Sequence, residues 1–518
     1  MTKEKDSITY LLKRLWRHIS KKRHYQLGLL FILMVFSSFA EIASIGAVIP
    51  FLGILTSPEQ IFQNGAFQPI ITFFDFKSPE DLLWPITIFF ITATIFSGSI
   101  RLALVFVNTR LSFATGHDLS IDIYNKTLFQ PFHVHIDRNS SEIINGVAIK
   151  TDLVITQILL PFLNFLSSTV MIVFITTALV ILNPIVAFSV MGGLGLIYYS
   201  LIKLTSFQLL RNSQRIADKT TTRVKSLQEG LGGIRDILLS GTQDTYCDIY
   251  RDADLPLRRS QANNAFINLS PRYAMEALGM VLIAIVAFYF TTSDRSIESV
   301  IPILGALALG AQRMLPMLQL AYQGWSTMLG GRASLVDTLE FLDQKIPEVN
   351  NEVSIDFNKN IILKDISFRY KNDQTNVLDK INLEIPKGSC VGFIGPTGSG
   401  KSTMLDILMG LLVPTSGKLI IDGKEVLPEN AKSWQRNISH VPQDIFLSDS
   451  TIKENVAFGI PFHEINMDKV AKAVSMAQLD DVINNLPEKY NTCIRATKTT
   501  LILKKCIICP GGLGLIVI

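Results

Sequence analysis

A chain of 518 residues with 48% hydrophobic and only 18% charged residues is not a string of ordinary soluble domains, which carry about 25% charged residues. Its net charge of +4 is too small to point to nucleic acid, and five cysteines give no disulfide framework and suit a reducing compartment. The length admits more than one domain, and the positive mean hydropathy means that one of them is solvated by something other than water.

In chain order, residues 1–24 form a basic cytoplasmic segment with Lys3, Lys5, Lys13, Arg14, Arg17, Lys21, Lys22 and Arg23. Apolar stretches follow near 27–55, 84–107, 158–182, 184–204, 275–291 and 299–320, each close to the roughly 20 residues that cross a bilayer. The loop 56–83 carries Lys77 against Glu59, Asp75, Glu80 and Asp81, whereas 205–270 is again basic, with Arg211, Arg215, Arg223, Arg235, Arg258 and Arg259. The positive-inside rule therefore puts the N-terminus and the C-terminal half in the cytoplasm. The first apolar run is too long for a cleaved signal peptide. The polar stretches 108–157 and 205–270 exceed ordinary loops and keep a helical period, broken near 131–141 and 230–242. They read as membrane helices continued into the cytoplasm and turned back through a short connecting helix. Residues 25–340 are thus expected to form a six-helix transmembrane domain with cytoplasmic helix extensions.

The pattern changes at about Phe341, and residues 341–494 read as a second domain. Residues 362–370 and 377–385 alternate like antiparallel strands, and Lys387-Gly388 marks a turn. Val391-Gly392-Phe393-Ile394 predicts a short buried strand. It leads into Gly395-Pro396-Thr397-Gly398-Ser399-Gly400-Lys401-Ser402, which fits G-x-x-x-x-G-K-[ST] at every fixed position, and a helix is expected from Thr403 onward. Such a loop aims backbone N–H groups at a phosphate, and the helix N-terminus adds partial positive charge. Lys401 can then reach the β- and γ-phosphates of a nucleoside triphosphate, and the Ser402 hydroxyl can hold Mg²⁺. Asp422-Gly423 marks a hairpin, and Ile438-Ser439-His440-Val441-Pro442-Gln443 ends a strand on a glutamine.

With these pieces in this order the chain resembles the ATP-binding cassette exporters, as a half-transporter of six membrane helices fused to one α/β P-loop nucleotide-binding domain. The resemblance reaches to about Ile494. Ile366-Ser367-Phe368-Arg369-Tyr370 is similar to the family's aromatic loop, which implies that Tyr370 stacks on adenine. Gly395–Thr403 is the phosphate loop. Val441-Pro442-Gln443-Asp444 is similar to the glutamine loop, which implies that Gln443 contacts Mg²⁺ and senses the membrane domain. The implied cofactors are ATP and Mg²⁺. The implied assembly is a homodimer, or a heterodimer with a complete half-transporter, in the bacterial inner membrane. In it two nucleotide domains close head to tail and drive the membrane halves outward, with residues 131–137 and 233–240 as coupling helices.

Charges within membrane helices mark cavities or pathways. Glu41 lies in the first span, Arg101 in the second, Arg272 opens the fifth and Arg313 sits in the sixth. Arg272 also fits a snorkelling interfacial residue. Three guanidiniums from three helices would suit an anionic ligand, since their fork of donors matches phosphate. Within the exporters, Ser38-Phe39-Ala40-Glu41, Arg101-Leu102-Ala103-Leu104, Ser270-Pro271-Arg272-Tyr273 and Gln312-Arg313-Met314-Leu315-Pro316 resemble the flippases for lipid-linked oligosaccharides of bacterial protein glycosylation. That resemblance implies a pyrophosphate contact for Arg101, Arg272 and Arg313 and a lipid-linked glycan as cargo. Export of a peptide, drug or simple lipid, or ATP binding without transport, are the alternatives.

The chain departs from the family after Ile494. The Leu-Ser-Gly-Gly-Gln signature, the apolar strand ending in Asp-Glu and the switch histidine are not in the sequence, so no catalytic residue is assigned. Residues 495–518 read as an aberrant tail, expected from a frameshift or premature stop, leaving a chain inactive in hydrolysis. Cys506-Ile507-Ile508-Cys509 has C-x-x-C spacing but lacks the second ligand pair of a zinc site.

Overall fold

The computed structural model describes residues 7–56, 59, 62, 72, 78–138, 140–182, 184–292, 297–347, 355–370, 375–441, 446–494 and 515–517. Its contacts divide into two units: Met1–Leu128 with Arg138–Lys345, and Phe129–Asp137 with Ile346–Ile518.

The first unit is helical. An amphipathic helix α1 (Ile8–His18) precedes α2 (Lys21–Thr56) and α3 (Leu83–Leu128). The short α4 (Phe132–Asp137) belongs to the second unit. Helix α5 covers residues 140–182, with π-helical turns at Asn145–Lys150 and Ile155–Leu159. Then come α6 (Pro184–Gly232), the short α7 (Ile234–Ser240), α8 (Gln243–Thr292), α9 (Ile297–Gly330) and α10 (Arg332–Leu342). The short helices α4 and α7 stand where the sequence places its turns. The six apolar stretches fall on α2, α3, α5, α6, α8 and α9. Among the described residues, Lys21–Val48, Leu83–Leu128 and Glu142–Ala178 are long and apolar enough to cross a membrane.

At 1.5 Å per residue the 49 residues of α6 extend about 74 Å, more than twice the roughly 30 Å of hydrocarbon. Beyond the apolar stretch the helices stay together by packing. Leu11 and Leu15 of α1, Leu119 and Ile123 of α3, Val154 and Ile158 of α5, and Leu335 and Leu339 of α10 form one buried cluster. Arg14 and His18 of α1 close on Asp343, just past α10: Arg14 Nε donates to Oδ2 at 2.6 Å and His18 Nε2 lies 2.7 Å from Oδ1. Lys126 of α3 donates to the Leu342 carbonyl at 2.6 Å. Closer to the membrane, a polar seam ties α6, α8 and α9. Tyr198 donates to Gln319 at 3.2 Å, Gln319 donates to the Asn268 carbonyl at 3.2 Å, and Asn212 donates to Asn264 at 2.8 Å.

The second unit carries a four-stranded antiparallel sheet in the order β2-β1-β3-β4, built from β1 (Asn360–Phe368), β2 (Leu378–Pro386), β3 (Ser416–Ile421) and β4 (Lys424–Glu425). Asp422 and Gly423, with φ of 47° and 84°, make the turn between β3 and β4, as the two-residue hairpin signal predicts. Asp422 also accepts backbone N–H bonds from Lys359 and Asn360 at 2.8 and 2.9 Å, fastening the entry to β1. The sheet packs on α11 (Lys401–Leu408) through Ile361, Leu363, Met404, Ile407 and Trp434, whose indole N–H donates to the Leu408 carbonyl at 2.7 Å. Trp434 belongs to α12 (Ala431–Gln435), and β5 (Ile438–His440) follows it. A separate helical cluster of Ile452, Val470, Val474, Leu479, Ile483 and Ile494 packs α13 (Ile452–Val456), α14 (Met467–Met476) and α15 (Asp480–Asn484). Strand β6 (Leu515–Val517) pairs in parallel with β5, while residues 495–514, Cys506 and Cys509 included, lie outside the described residues.

One sequence expectation fails here. Residues 391–394 form no strand, and Ile394 is 100% exposed rather than buried. A strand needs a neighbouring ladder to satisfy its backbone and cover its side chains. Among the described residues no strand pairs with this segment.

The Asp343 clamp has a definite pH dependence. Burial pushes the Asp343 carboxyl upward, but hydrogen bonds from Arg14 and His18 and their charges outweigh it and hold the group below the usual carboxylate range. A depressed folded value gives stability that is present above the unfolded value of about 3.9 and is lost as pH falls through the folded one. Asp343→Asn is expected to lower the unfolding free energy by at most about 1 kcal/mol at pH 7, since the pair is part-exposed. The gap between variant and wild type, read from thermal melts, should close as pH falls below about 4.

Candidate nucleotide site and membrane cavity

The loop after β2 reaches the phosphate-loop motif with the backbone that the motif demands. Gly398 and Gly400 have φ of 85° and 86°, and Gly400 caps the start of α11. A Cβ on Gly400 would stand 2.9 Å from Leu378 Cδ2 and 3.0 Å from the Val377 carbonyl oxygen, so both the dihedral and the close approach require glycine. Lys401 folds over the loop, its Nζ donating to the Gly395 and Pro396 carbonyls, each at 2.8 Å, with Ser399 Oγ at 3.4 Å. The Ser402 side chain is exposed, whereas Thr403 is buried. Thr403 Oγ1 lies 2.8 Å from the Tyr370 hydroxyl, which brings the aromatic ring to the loop; Phe368 packs edge-on against that ring at 5.0 Å. One turn into α11, burial pushes the Asp406 carboxyl up, with His440 opposing the shift.

This donor set fits a triphosphate with its divalent cation. Glycine backbone with positive φ leads into a helix start, one ammonium is held by loop carbonyls and a hydroxyl it can leave, and Ser402 is exposed at the helix start. The structure thus gathers Tyr370, Gly395, Pro396, Thr397, Gly398, Ser399, Gly400, Lys401, Ser402 and Thr403 around one loop. Gln443 lies outside the described residues.

The charged residues of the membrane helices are less united. Glu41 is buried and accepts from Ser97 Oγ at 2.9 Å, joining α2 to α3. Arg101 is exposed on α3. Arg272 follows Pro271 on α8 and pairs with Glu276 at 2.9 Å. With Tyr198, Tyr273, Gln319 and Gln323 it lines a cavity of about 450 Å³. Arg101 is not among the residues of that wall, and the Arg313 side chain lies outside the described residues. Sequence reasoning did not find Gln319 or Tyr198. Buried polar side chains inside an apolar helix were the available signal, since each needs a partner.

A model of the ABC transporter transmembrane region matches residues 45–306, just over half of the chain, and an ABC transporter model matches residues 378–502. The chain belongs to the ABC transporter family. The ATP-dependent lipid A-core flippase of Cupriavidus pinatubonensis is 23% identical over 423 residues, 74% of this chain and 67% of that protein. The leukotoxin translocation ATP-binding protein of Mannheimia glucosida is 33% identical over 187 residues, 36% of this chain and 26% of that protein. The lipid A-core flippase of Ralstonia nicotianae is 38% identical over 130 residues, 25% and 22% of the two chains. The chain therefore spans only about a quarter of the length of these last two relatives. The solved structure of a bacterial Atm1-family ABC exporter with ATP bound superposes with a TM-score of 0.68 at 16% identity, over 94% of this chain and 83% of that one. The fold is that of an ABC exporter half-transporter: a helical membrane domain and a nucleotide-binding domain.

Lys401→Met is expected to weaken binding of a fluorescent ATP analogue by at least about tenfold, equal to about 1.4 kcal/mol. Gly400→Val should do the same while Gly28→Ala, in α2 with open space around it and ordinary helical backbone, leaves binding within about twofold. Equilibrium titration of the purified variants measures both.

Proposed function

We propose that this ABC exporter moves a lipid-linked glycan, or a related anionic glycolipid, across the bacterial inner membrane, with its nucleotide domain in the cytoplasm. The observation that carries the reading is the cavity beside Arg272. It sits at the membrane end of the polar seam, offers the Arg272 guanidinium paired with Glu276 on the same wall, together with tyrosine and glutamine side chains, and has an apolar remainder in Met275, Leu315 and Leu320. A ligand with a charged or sugar-bearing head and a hydrocarbon tail matches that division. The 423-residue match to a lipid A-core flippase supports the same class, because a match of that length must run through much of the membrane unit. The leukotoxin match favours a second reading, export of a polypeptide, but it extends over 187 residues only.

For the nucleotide, Gly395–Thr403 would hold the phosphates, Tyr370 the adenine, and Ser402 with Gln443 the Mg²⁺. When bound, ATP supplies the free energy of domain closure; the chain's own contribution is to orient the phosphates on backbone N–H groups and to neutralise them with Lys401. Hydrolysis also needs a signature serine and glycine from an opposing subunit and a carboxylate to orient the attacking water. The 518 residues contain neither motif. A second copy is the proposed partner: α7 presents Ile234, Leu238 and Leu239 at 45%, 60% and 79% exposure, an apolar tip suited to another subunit.

Two outcomes follow. The purified 518-residue polypeptide is expected to bind the ATP analogue; absence of binding would overturn the nucleotide-site reading. In proteoliposomes of an active assembly containing this membrane unit, Arg272→Ala, Arg101→Ala and Arg313→Ala should each cut transport of a polyprenyl-pyrophosphate glycan at least about tenfold. Unchanged glycan transport, with or without loss of peptide export, would remove the glycolipid reading.

A further inference from the structure

A second groove lies apart from the Arg272 cavity, on the seam of α2 and α3. Its volume is about 360 Å³, its walls are Leu29, Leu33, Phe106 and Val107, and Arg23 and Arg110 stand at its polar end. The two arginines are in different states. Arg23 is consumed within the protein: Nε and one terminal nitrogen donate to Asp118 at 2.9 and 3.2 Å, and the guanidinium also reaches Gln26 at 2.9 Å and the Ala114 carbonyl at 3.3 Å. Arg110 is exposed, and among the described residues its guanidinium meets only the face of Phe106, 5.6 Å from the ring centroid. The carboxylate of Asp118 is already matched by Arg23, with Lys22 adding further positive charge nearby.

The depth of Arg110 follows from helix geometry. It lies 27 residues beyond Leu83, the first residue of α3, which is about 40 Å at 1.5 Å per residue. That clears the roughly 30 Å hydrocarbon layer and places the guanidinium among headgroups. Arg23, in the first turn of α2, is level with it, since it reaches the Ala114 carbonyl one turn further along α3. Leu29, Leu33 and Phe106 continue from there toward the hydrocarbon. An arginine that merely snorkels needs no slot beneath it. Here an unmatched guanidinium stands over an apolar groove, which is the complement of a phosphodiester with acyl chains attached.

We propose that the α2–α3 groove holds one anionic phospholipid, its phosphodiester on the Arg110 fork and an acyl chain against Leu29, Leu33 and Phe106. The groove shares no residue with the Arg272 cavity.

Native mass spectrometry of the delipidated full chain, supplied with either phosphatidylglycerol or phosphatidylcholine, tests this. One phosphatidylglycerol is expected to persist at collision energies that strip phosphatidylcholine, and Arg110→Ala should reduce its retention at least fivefold. Arg251→Ala, an exposed arginine paired with Asp248, should leave it unchanged. Glycerol 3-phosphate at millimolar concentration should not displace the lipid. Equal retention of both lipids, wild-type retention in Arg110→Ala, or displacement by glycerol 3-phosphate would each overturn the proposal. So would an Arg110→Ala shift in oligomer mass with lipid retention unaltered, which would mean that a second copy covers the groove. Should Arg110→Ala fail to fold, Leu29→Trp keeps the question open to measurement. Its added fluorescence should be quenched at least twice as strongly by dibrominated phosphatidylglycerol as by dibrominated phosphatidylcholine, and equal quenching would refute the site.

Discussion

Lipid offers no hydrogen bonds, so a chain that crosses it must satisfy every backbone N–H and C=O internally. That single requirement makes the first unit of this transporter helical. The helices then continue well past the bilayer, and what holds them together there differs from what holds them inside it. Toward the membrane, polar groups bind across helices: Tyr198 donates to Gln319, Gln319 to the Asn268 carbonyl, and the Asn268 side chain donates to Thr327. Beyond it, leucine and isoleucine side chains from α1, α3, α5 and α10 are removed from water, and the hydrophobic effect resumes. Within the second unit, the Lys432 ammonium lies 5.0 Å from the ring of Phe129, which precedes the short α4 in sequence.

The second unit spends its order on one loop. The sheet, α11 and Trp434 form a packed base, and the phosphate loop rises from it on glycines that no other residue could replace without strain. Lys401, hydrogen-bonded to carbonyls of its own loop, keeps its charge solvated and partnered while remaining able to turn outward. A neighbouring helical cluster is pinned by Asn455, a buried amide bonded to Ser448, Ser450 and Thr451, and by a capping box between Thr451 and Glu454. Those side chains fix the segment that follows the glutamine loop.

Much of this was legible in the sequence because it is local. The phosphate loop, the Asp422-Gly423 hairpin, the two alternating strands and the breaks near residues 131 and 233 are each written within a few consecutive residues. Residues 391–394 show the limit: Val, Phe and Ile promise a strand, but pairing is decided by a neighbour that the segment does not itself encode. The Asp343 clamp shows another, since its partners are separated by 329 and 325 positions and no periodicity links them. The arginines of the membrane helices show a third. A charge in an apolar run announces that something must meet it, but helix rotation decides what, and the same signal covers Arg272 beside Glu276, Arg23 on Asp118 and Arg110 over a ring.

The clamp also has a consequence in time. Arg14 and His18 emerge early from the ribosome, yet the carboxylate that receives them is made more than three hundred residues later. At roughly 5–20 residues per second the interval is on the order of 16–65 s. Until α3 and α5 are made, the amphipathic α1 has its apolar stripe uncovered and the bilayer surface close by, which is the natural resting place for such a helix. Closure of the clamp on Asp343 is therefore a late step of biogenesis, made after the α3 and α5 parts of the α1 cluster are in place.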